Sequence, residues 1–307
     1  MSLKKMKNEM ESRQTKLAYL LLVHNNPKQL NIFLQQILDS DDGDIYLHVD
    51  KKNVKMIEHL LKDERITIIS EYEVKWASFE MVAATISLMR TVIESKKVYS
   101  HVYYGSGYDL LVKKGLKEFL ANNNESLFMK VLGEILPNNP LAARYRIKWP
   151  DYVKVRSNWH PYRIIRMFFH IFFRVGIVLN KNKEKIEFEH IYRGSQWFIV
   201  PIGLIEYILC YLKENPNYQK YWEQALAPDE FFFHTIILNS EYAKLVRPSL
   251  MYLNSSTKIT KRNHPLTITK HDIETIDKSS CYCARKFDLH IDSDVVSYYI
   301  RKTKRVN

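Results

Sequence analysis

LAYLLLV, at residues 17–23, is a run of apolar side chains that stops at the polar pair His24 and Asn25. An unbroken apolar run of this length is typical of a β-strand that is buried on both faces. Apolar residues at helical spacing follow over 28–38, and a second apolar run, IYLHV, follows at 45–49. A strand, a helix and a strand in this order predict the beginning of an α/β sheet with parallel strands.

The same alternation continues through the first half of the chain. Further strands are predicted at 66–69, 98–104 and 127–132, and further helices at 54–62, 81–94 and 116–122. In the less regular second half, the patterns predict a long loop at 140–163, an amphipathic helix at 164–179, a strand at 197–200, and helices at 202–213 and 228–240. We therefore predict an α/β fold with a mostly parallel central sheet and flanking helices.

The composition is that of a globular protein with a basic surface. The 307 residues include 46 Lys and Arg against 34 Asp and Glu, a net charge of +12, and 46% of them are hydrophobic. These proportions exclude a disordered chain, and three cysteines without C-x-x-C spacing argue against a disulfide framework or a Cys-based zinc site. The positive charge favours anionic partners: nucleic acid, phosphorylated small molecules or an acidic membrane surface.

The predicted helix at 164–179 has two distinct faces. Four basic residues share one face because they are three or four positions apart: Arg163, Arg166, His170 and Arg174. The opposite face is Phe, Ile and Met. The helix either packs on the core or lies in a membrane interface with its cations toward lipid phosphates. It is too short to span a bilayer.

The N-terminal residues, MSLKKMKNEMESRQTK, form a polar tail over 1–16. They lack the apolar segment and the cleavage site of a signal peptide. We therefore expect a cytoplasmic protein, with peripheral contact to the anionic inner face of a membrane through residues 163–179.

Ligands of parallel α/β sheets bind beyond the C-terminal ends of the strands. The polar residues at the predicted ends are His24, Asn25, Asp50, Lys51, Ser106 and Asp109. The sequence contains no Gly-rich phosphate-binding motif. Two D-x-D sequences, Asp39-Ser-Asp41 and Asp42-Gly-Asp44, precede a strand instead of following one, so we interpret them as a solvated turn and expect no metal-dependent catalysis.

Two short segments allow both a structural and a catalytic interpretation. Asp229 and Glu230 begin a predicted helix, where the helix dipole favours acidic side chains even without a function. In CARKFD (283–288), Arg285 and Lys286 are either part of an exposed turn or a pair of cations that binds a diphosphate. Each segment alone leaves both interpretations open.

Four blocks, in this order, resemble the Core-2/I-branching β-1,6-N-acetylglucosaminyltransferase and peptide O-xylosyltransferase family, glycosyltransferase family 14. They are AYLLLVHNNPKQL (18–30) with DIYLHVDKK (44–52), VKWASFEMVAATISLM (74–89) with SGYD (106–109), YRGSQWFIV (192–200) with PDEFFFHTIILNS (228–240), and CARKFD (283–288). The chain looks like a small bacterial member of this family.

The resemblance implies a GT-A-like fold in a single domain over 17–307, with a UDP-binding half at 17–135 and an acceptor half at 136–307. It implies that GlcNAc or xylose moves with inversion from a UDP-sugar to a hydroxyl of a saccharide or glycoconjugate acceptor. The Core-2 branch works without a metal ion, so no cofactor is expected.

The resemblance also implies catalytic roles. Glu230 matches the family's catalytic base, which takes the proton of the acceptor hydroxyl. Lys286 matches a lysine that faces the diphosphate and replaces the charge of a metal ion. The position of the family's second diphosphate cation falls on Asn263, so Arg262 or Arg285 would have to supply that charge.

The resemblance also implies further substrate contacts. Val23, His24 and Asp50 match the uridine-binding side, and Ser106, Gly107 and Asp109 match the donor-sugar side. Trp197 and Asp229 are the expected contacts to the acceptor or its sugar.

Two other functions remain open. One is a transferase-like binding protein without catalysis, and the other is a basic nucleic-acid-binding protein. The sequence contains no recognised nucleic-acid-binding module, so we expect no nucleic-acid partner.

Overall fold

The computed structural model describes residues 16–40, 43–155, 157, 160–254 and 266–304. These residues form a seven-stranded central sheet with helices on both faces, and a second sheet of three strands. The strands are β1 (Leu17–Val23), β2 (Gly43–Val49), β3 (Ile66–Ile69), β4 (His101–Ser106), β5 (Leu110–Leu111), β6 (Leu127–Glu134), β7 (Tyr192–Pro201), β8 (Val246–Arg247), β9 (Met251–Leu253) and β10 (Cys283–Arg285).

Ten α-helices are found within the described residues. They are α1 (Pro27–Ser40), α2 (Glu80–Glu94), α3 (Leu116–Ala121), α4 (Ala143–Arg146), α5 (Tyr162–Arg174), α6 (Ile202–Glu214), α7 (Pro216–Glu223), α8 (Phe232–Leu238), α9 (Ile273–Lys278) and α10 (Ser293–Thr303). Short 3₁₀ helices cover Lys51–His59, Pro140–Ala142, Asp151–Val153, Pro228–Glu230, Glu241–Leu245 and Lys270–Asp272.

The central sheet has the strand order β3-β2-β1-β4-β7-β6-β8. β7 is antiparallel to both of its neighbours, β4 and β6, and the other neighbouring pairs are parallel. The predicted α/β fold with a mostly parallel central sheet and flanking helices is therefore confirmed. Because β1, β2 and β4 are parallel, their C-terminal ends at Val23, Val49 and Ser106 lie along one edge of the sheet.

β1 is apolar throughout because both of its faces are covered. Tyr19 and Leu21 belong to the core layer that contains side chains of α1 and α10, whereas Ala18 and Leu20 belong to the layer that contains side chains of α2 and α6. All four are inaccessible to solvent. This two-sided burial explains why residues 17–23 lack the alternation of polar and apolar side chains that a one-sided strand shows.

The smaller sheet, in the order β5-β10-β9, joins distant parts of the chain. Ala284 pairs with Leu110 in the antiparallel direction and with Tyr252 in the parallel direction. The sequence patterns predicted none of these three short strands. Their pairing places β10 beside the turn that follows β4, where the Phe287 N–H donates to the Tyr108 carbonyl (2.9 Å).

The segment at 228–240 is not the single helix that the sequence predicted. A 3₁₀ turn covers Pro228–Glu230, Phe231 has a non-helical φ of −124°, and α8 begins at the next residue. The Phe231 ring is fully buried and stacks on Trp222. Packing therefore overrides local helix propensity here.

The segment at 140–163 also differs from its prediction. It was predicted as a long loop, but it contains α4 and two 3₁₀ turns.

The helix α5 packs with two residues of its basic face, Arg166 and His170, toward the protein body, whereas Arg174 is exposed. The Arg166 guanidinium lies 5.0 Å from the centre of the Trp76 ring, and the His170 ring lies 5.0 Å from that of Trp149. Burial, followed by three nearby arginines, lowers the pKa of His170 to about 4. The prediction that this face meets lipid phosphates is therefore wrong for Arg166 and His170. Nowhere in the described part of the chain is a helix long and apolar enough to cross a membrane.

Candidate active site

The first group of predicted site residues lies where β1 and β2 end. The Asp50 N–H donates to the Val23 carbonyl (2.8 Å), and the Asn53 side-chain amide donates to the His24 carbonyl. The Asp50 carboxylate accepts from the Lys52 N–H (3.0 Å) and caps the helix that follows. The structure thus brings Val23, His24 and Asp50 together at the sheet edge.

The turn after β4 is built around the buried carboxylate of Asp109. This carboxylate accepts from the Tyr103 hydroxyl (2.9 Å), the Ser106 N–H (2.9 Å) and the Ser106 hydroxyl (3.1 Å). Burial raises the pKa of Asp109, and a nearby arginine opposes the rise. Gly107 lies so close to β1 that a Cβ atom there would be 3.2 Å from Val23. The turn therefore lies beside the residues at the end of β1.

Two cations reach this turn from β10. The Arg285 Nε atom lies 3.5 Å from the Asp109 carboxylate, and the guanidinium lies 3.9 Å from the centre of the Trp197 ring. The Lys286 ammonium lies 4.7 Å from the centre of the Tyr108 ring. Both cations therefore lie close to the turn after β4, which the resemblance placed on the donor-sugar side.

Arg285 has hydrogen-bonding capacity that the described residues leave unused. Its Nε and Nη1 atoms are buried and have no hydrogen-bond partner among those residues. Buried donors of this kind nearly always have a partner in the protein, in water or in a ligand, and a diphosphate is an anion that a guanidinium binds well. Arg262 and Asn263, the other positions that the resemblance raised, lie outside the described residues.

Tyr108 connects the end of β1 to β10, although no sequence pattern singled it out. Its hydroxyl donates to the Asn25 side-chain carbonyl (2.7 Å), and its ring lies 6.0 Å from that of His24. The Lys286 ammonium lies over the same ring, at the distance given above. The only signal in the sequence was its place between Gly107 and Asp109.

The predicted base, Glu230, lies in a turn that is held at both ends. Ala227, just before the turn, has a left-handed φ of 54°, and its N–H donates to the Ala77 carbonyl (2.8 Å). Pro228 has a fixed φ that suits the start of a helical turn. Phe231, just after the turn, is fully buried. The backbone of Glu230 is thus positioned by neighbours on both sides.

The Glu230 carboxylate is oriented by two arginines that the sequence analysis missed. Its Oε2 atom accepts from Arg144 (2.8 Å) and from Arg193 (2.7 Å). No described residue hydrogen-bonds to Oε1. Two hydrogen bonds therefore fix Oε2, and Oε1 is available to accept a hydrogen bond from another group. Arg193 belongs to the block YRGSQWFIV (192–200), whereas the region around Arg144 offered no sequence signal for this contact.

Asp229 is half-buried beside Glu230. Burial, followed by the charge of Glu230, raises the pKa of Asp229 from its ordinary value near 3.8 to about 7, although Arg144 and Arg193 oppose the rise. Its charge therefore changes near neutral pH, whereas an ordinary aspartate is fully ionised there. It also lies within electrostatic range of Tyr104, whose ring packs 5.2 Å from that of Trp197.

These residues form one row along the C-terminal edge of the sheet, which we call the contact row. Tyr104 and Asp229 lie within electrostatic range of each other, and the other neighbours in the row are in contact or adjacent in the sequence. It runs from His24 and Asn25 through Tyr108, Lys286, Arg285, Trp197 and Tyr104 to Asp229 and Glu230. The predicted base is at one end of the row, and the end of β1 is at the other. Two cations and three aromatic rings lie between them.

The described residues of the two D-x-D sequences lie away from the candidate site. Asp44 is at the N-terminal end of β2, opposite the candidate site, and its carboxylate is paired with Lys16 and Lys97. Asp41 and Asp42 lie outside the described residues. Among the residues that the structure describes, no cluster of three or more His, Cys, Asp or Glu side chains could hold a metal ion.

Gly194, next to Arg193, has no room for a side chain. A Cβ atom there would lie 2.0 Å from His234 Nε2 and 2.3 Å from the Lys130 carbonyl oxygen. We expect Gly194→Ala to lower the free energy of unfolding by about 1–3 kcal/mol because a strand backbone cannot easily move aside. The measurement is urea unfolding, with Gly203→Ala as the control, because a Cβ at Gly203 meets nothing within 4 Å. Equal stability of the two variants would contradict this explanation.

An acid, Glu230, and two cations, Arg285 and Lys286, thus lie along one edge of the α/β sheet. The model of the Core-2/I-branching enzyme family matches residues 170–279. Xylosyltransferase 2 from Mus musculus and from Rattus norvegicus are 24% and 23% identical over 262 residues, which cover 80% of this chain and 27% of each relative. The chain therefore spans about a quarter of the length of these curated relatives.

The crystal structure of mouse xyloside xylosyltransferase 1 in its apo form is 10% identical to this chain, with a TM-score of 0.35. The match covers 88% of this chain and 96% of that one. The family match includes Arg193, Trp197, Asp229 and Glu230, and it ends before β10. The family predicted from the sequence is confirmed: the chain is related to the Core-2/I-branching enzymes, a family of glycosyltransferases.

Proposed function

We propose that the protein transfers GlcNAc or xylose from a UDP-sugar to a hydroxyl of a saccharide or glycoconjugate acceptor, with inversion and without a metal ion. The observation that carries the proposal is the contact row at the sheet edge. It joins one oriented carboxylate, Glu230, to two cations, Arg285 and Lys286. Two of the matched relatives are named xylosyltransferases, which supports xylose as one donor sugar.

In this proposal, Glu230 is the general base. Its Oε1 atom takes the proton of the acceptor hydroxyl while the hydroxyl oxygen forms a bond to the anomeric carbon. The bond from that carbon to the phosphate oxygen breaks, and UDP leaves with the electron pair. Because the attack and the departure occur on opposite faces of the sugar, a single displacement inverts the anomeric centre. Arg144 and Arg193 hold Oε2 and so orient the base.

Negative charge grows on the diphosphate as UDP leaves, and cations positioned beforehand stabilise it. Lys286 and Arg285 provide this charge, and Arg285 has two buried donors without a hydrogen-bond partner among the described residues. The uridine is bound at the ends of β1 and β2, by Val23, His24 and Asp50. Ser106 and Gly107 line the donor-sugar side, with Asp109 as the anchor of their turn.

The proposal is tested by titrating UDP into the protein in a calorimeter with EDTA present, followed by UDP-GlcNAc and UDP-xylose. We expect binding without a metal, and the tighter of the two nucleotide sugars identifies the donor. The control is the same titration with Mn²⁺ in place of EDTA. Binding that requires Mn²⁺ would contradict metal independence, and no binding under either condition would contradict the donor class.

A binding protein without catalysis would bind UDP in that titration but would not transfer the sugar, so a second measurement is needed. Release of UDP in the presence of a set of mono- and oligosaccharide acceptors reports sugar transfer, and release without an acceptor reports hydrolysis. Transfer to any hydroxyl supports catalysis. UDP binding without transfer or hydrolysis would favour the binding protein.

A further inference from the structure

The helix α5 exposes an apolar stripe. Five outward side chains of the helix and that of the next residue, Val175, are large and apolar. Their exposed fractions are 57% for Ile164, 54% for Met167, 54% for Phe168, 51% for Ile171, 37% for Phe172 and 67% for Val175. Their positions, three or four residues apart in overlapping pairs, form one continuous line along the helix. We call these six residues the α5 stripe. Contiguous apolar patches of this kind mark interaction sites more often than single exposed side chains do.

The outer face of α5 is more apolar than water outside the protein favours. A helix on a water-exposed surface turns its apolar face inward and its charged face outward. Phe169 and Phe173 pack on the core from the inner side of α5. Arg166 and His170 lie on that side too, against Trp76 and Trp149, and the stripe faces outward. Arg166 also donates to the Val155 carbonyl (3.1 Å), so polar contacts hold the inner face in place. An apolar medium outside the helix would fit this orientation.

The segment of the sequence that contains the stripe is basic. From residue 152 to residue 183 the sequence contains four Arg and three Lys but no Asp or Glu. Arg174 is exposed at the C-terminal end of α5, and Lys181 and Lys183 are exposed after the stripe. At the other end, the exposed rings of Tyr152 and Tyr162 pack together, with centres 5.2 Å apart. Tyrosine rings favour the boundary between lipid and water, and cations favour anionic headgroups.

We propose that the α5 stripe docks the protein on the surface of an anionic lipid bilayer. The six apolar side chains enter the boundary between headgroups and acyl chains, and the helix lies parallel to the membrane plane. Arg174 and the two exposed lysines contact lipid phosphates. Burial of apolar area and attraction to anionic lipid then act together, as in interfacial amphipathic helices.

A second copy of the chain fits the stripe less well. One face of a 13-residue helix is about 20 Å long and about 10 Å wide. A stable interface needs roughly 800 Å² from each partner, well above what this face supplies. Two copies would also bring the same positive segment together, which like-charge repulsion disfavours.

Docking would place the candidate active site near the lipid surface. Arg166 on the inner face of α5 is within electrostatic range of Arg144, which binds Glu230. If the proposed function holds, an acceptor carried by the membrane would then lie close to the catalytic base. This consequence rests on the proposed function, whereas docking itself does not, and a measurement of vesicle binding without any sugar separates the two.

The experiment is co-sedimentation of the whole chain with vesicles of phosphatidylcholine mixed with phosphatidylglycerol, and with vesicles of phosphatidylcholine alone. We expect binding to the mixed vesicles that weakens as salt is added. The double variant Phe168→Glu/Ile171→Glu should bind at least about tenfold more weakly because it places charge in the apolar boundary. UDP titration and urea unfolding of the variant check that it is folded.

The matched control is Val98→Glu/Ile291→Glu, which makes the same change in charge at exposed apolar positions outside α5, with exposed fractions of 82% and 60%. This control should bind vesicles nearly as well as the unmodified protein. Equal binding of both double variants would overturn the proposal, as would no binding by the unmodified protein. A dimer in light scattering that the α5 variant converts to a monomer, without vesicle binding, would assign the stripe to a second copy instead.

Discussion

Replacing Glu230 by Gln is expected to reduce the rate of sugar transfer by about 10²–10⁴-fold, the usual contribution of a general base. The amide has nearly the same shape as the carboxylate but cannot take up the proton of the acceptor hydroxyl. Affinity for UDP should change much less, because Glu230 lies at the opposite end of the contact row from the end of β1. The rate of UDP release with acceptor, and a UDP titration in EDTA, measure the two effects separately.

The control for this prediction is Glu241→Gln, which removes one negative charge at an exposed glutamate of the same part of the chain. It should leave both transfer and UDP affinity nearly unchanged. Full activity of Glu230→Gln would show that another group is the base. Asp229 would then be the first candidate, because its pKa of about 7 suits proton transfer near neutral pH, and a pH profile of Asp229→Asn would test it.

Replacing Lys286 by Ala is expected to weaken UDP binding by about 10- to 100-fold, because a hydrogen bond to a charged group is worth about 1.5–3 kcal/mol. Turnover should fall by a further 10²-fold or so, since negative charge on the diphosphate is greatest as the bond to the sugar breaks. Lys286→Arg should recover part of both losses because it restores the positive charge. UDP titration and transfer rates measured on the same preparations give the two factors.

Lys113→Ala is the matched control for Lys286→Ala. The Lys113 ammonium also lies over a tyrosine ring, 5.5 Å from the centre of Tyr282, but it is exposed and outside the contact row. Loss of its charge should leave UDP binding nearly unchanged. If the two alanine variants bind UDP equally well, Lys286 is not a diphosphate cation, and Arg285 would have to carry that role alone.

The positive charge of the chain has at least two separate local roles in this structure. Arg144 and Arg193 bind the predicted base and orient it. Arg285 and Lys286 lie on aromatic rings beside the turn after β4, where the proposal places the diphosphate. The net charge alone suggested several anionic partners, and only the position of individual cations distinguishes them. A pair of cations beside a sheet edge suits a small diphosphate.

The parts of the fold that the sequence predicted depend on local patterns. β1, β2, β3 and the helices α1 and α2 were predicted because the period of their apolar residues follows from which faces are buried. The positions of His24, Asp50 and Ser106 at one edge also followed, since parallel strands end on the same side. The division of the chain at residue 135 and the roles of the site residues stay predictions.

The tertiary structure alone decided the features that depend on contacts between distant residues. The pairing of Ala284 with Leu110, the antiparallel direction of β7, and the arginines that hold Glu230 leave no periodic signal in any short segment. The two faces of α5 were visible in the sequence, but not which of them meets the protein. A local pattern shows which side chains share a surface, whereas the partner of that surface is chosen by packing over the whole chain, because burial energy depends on every element that competes for the same face.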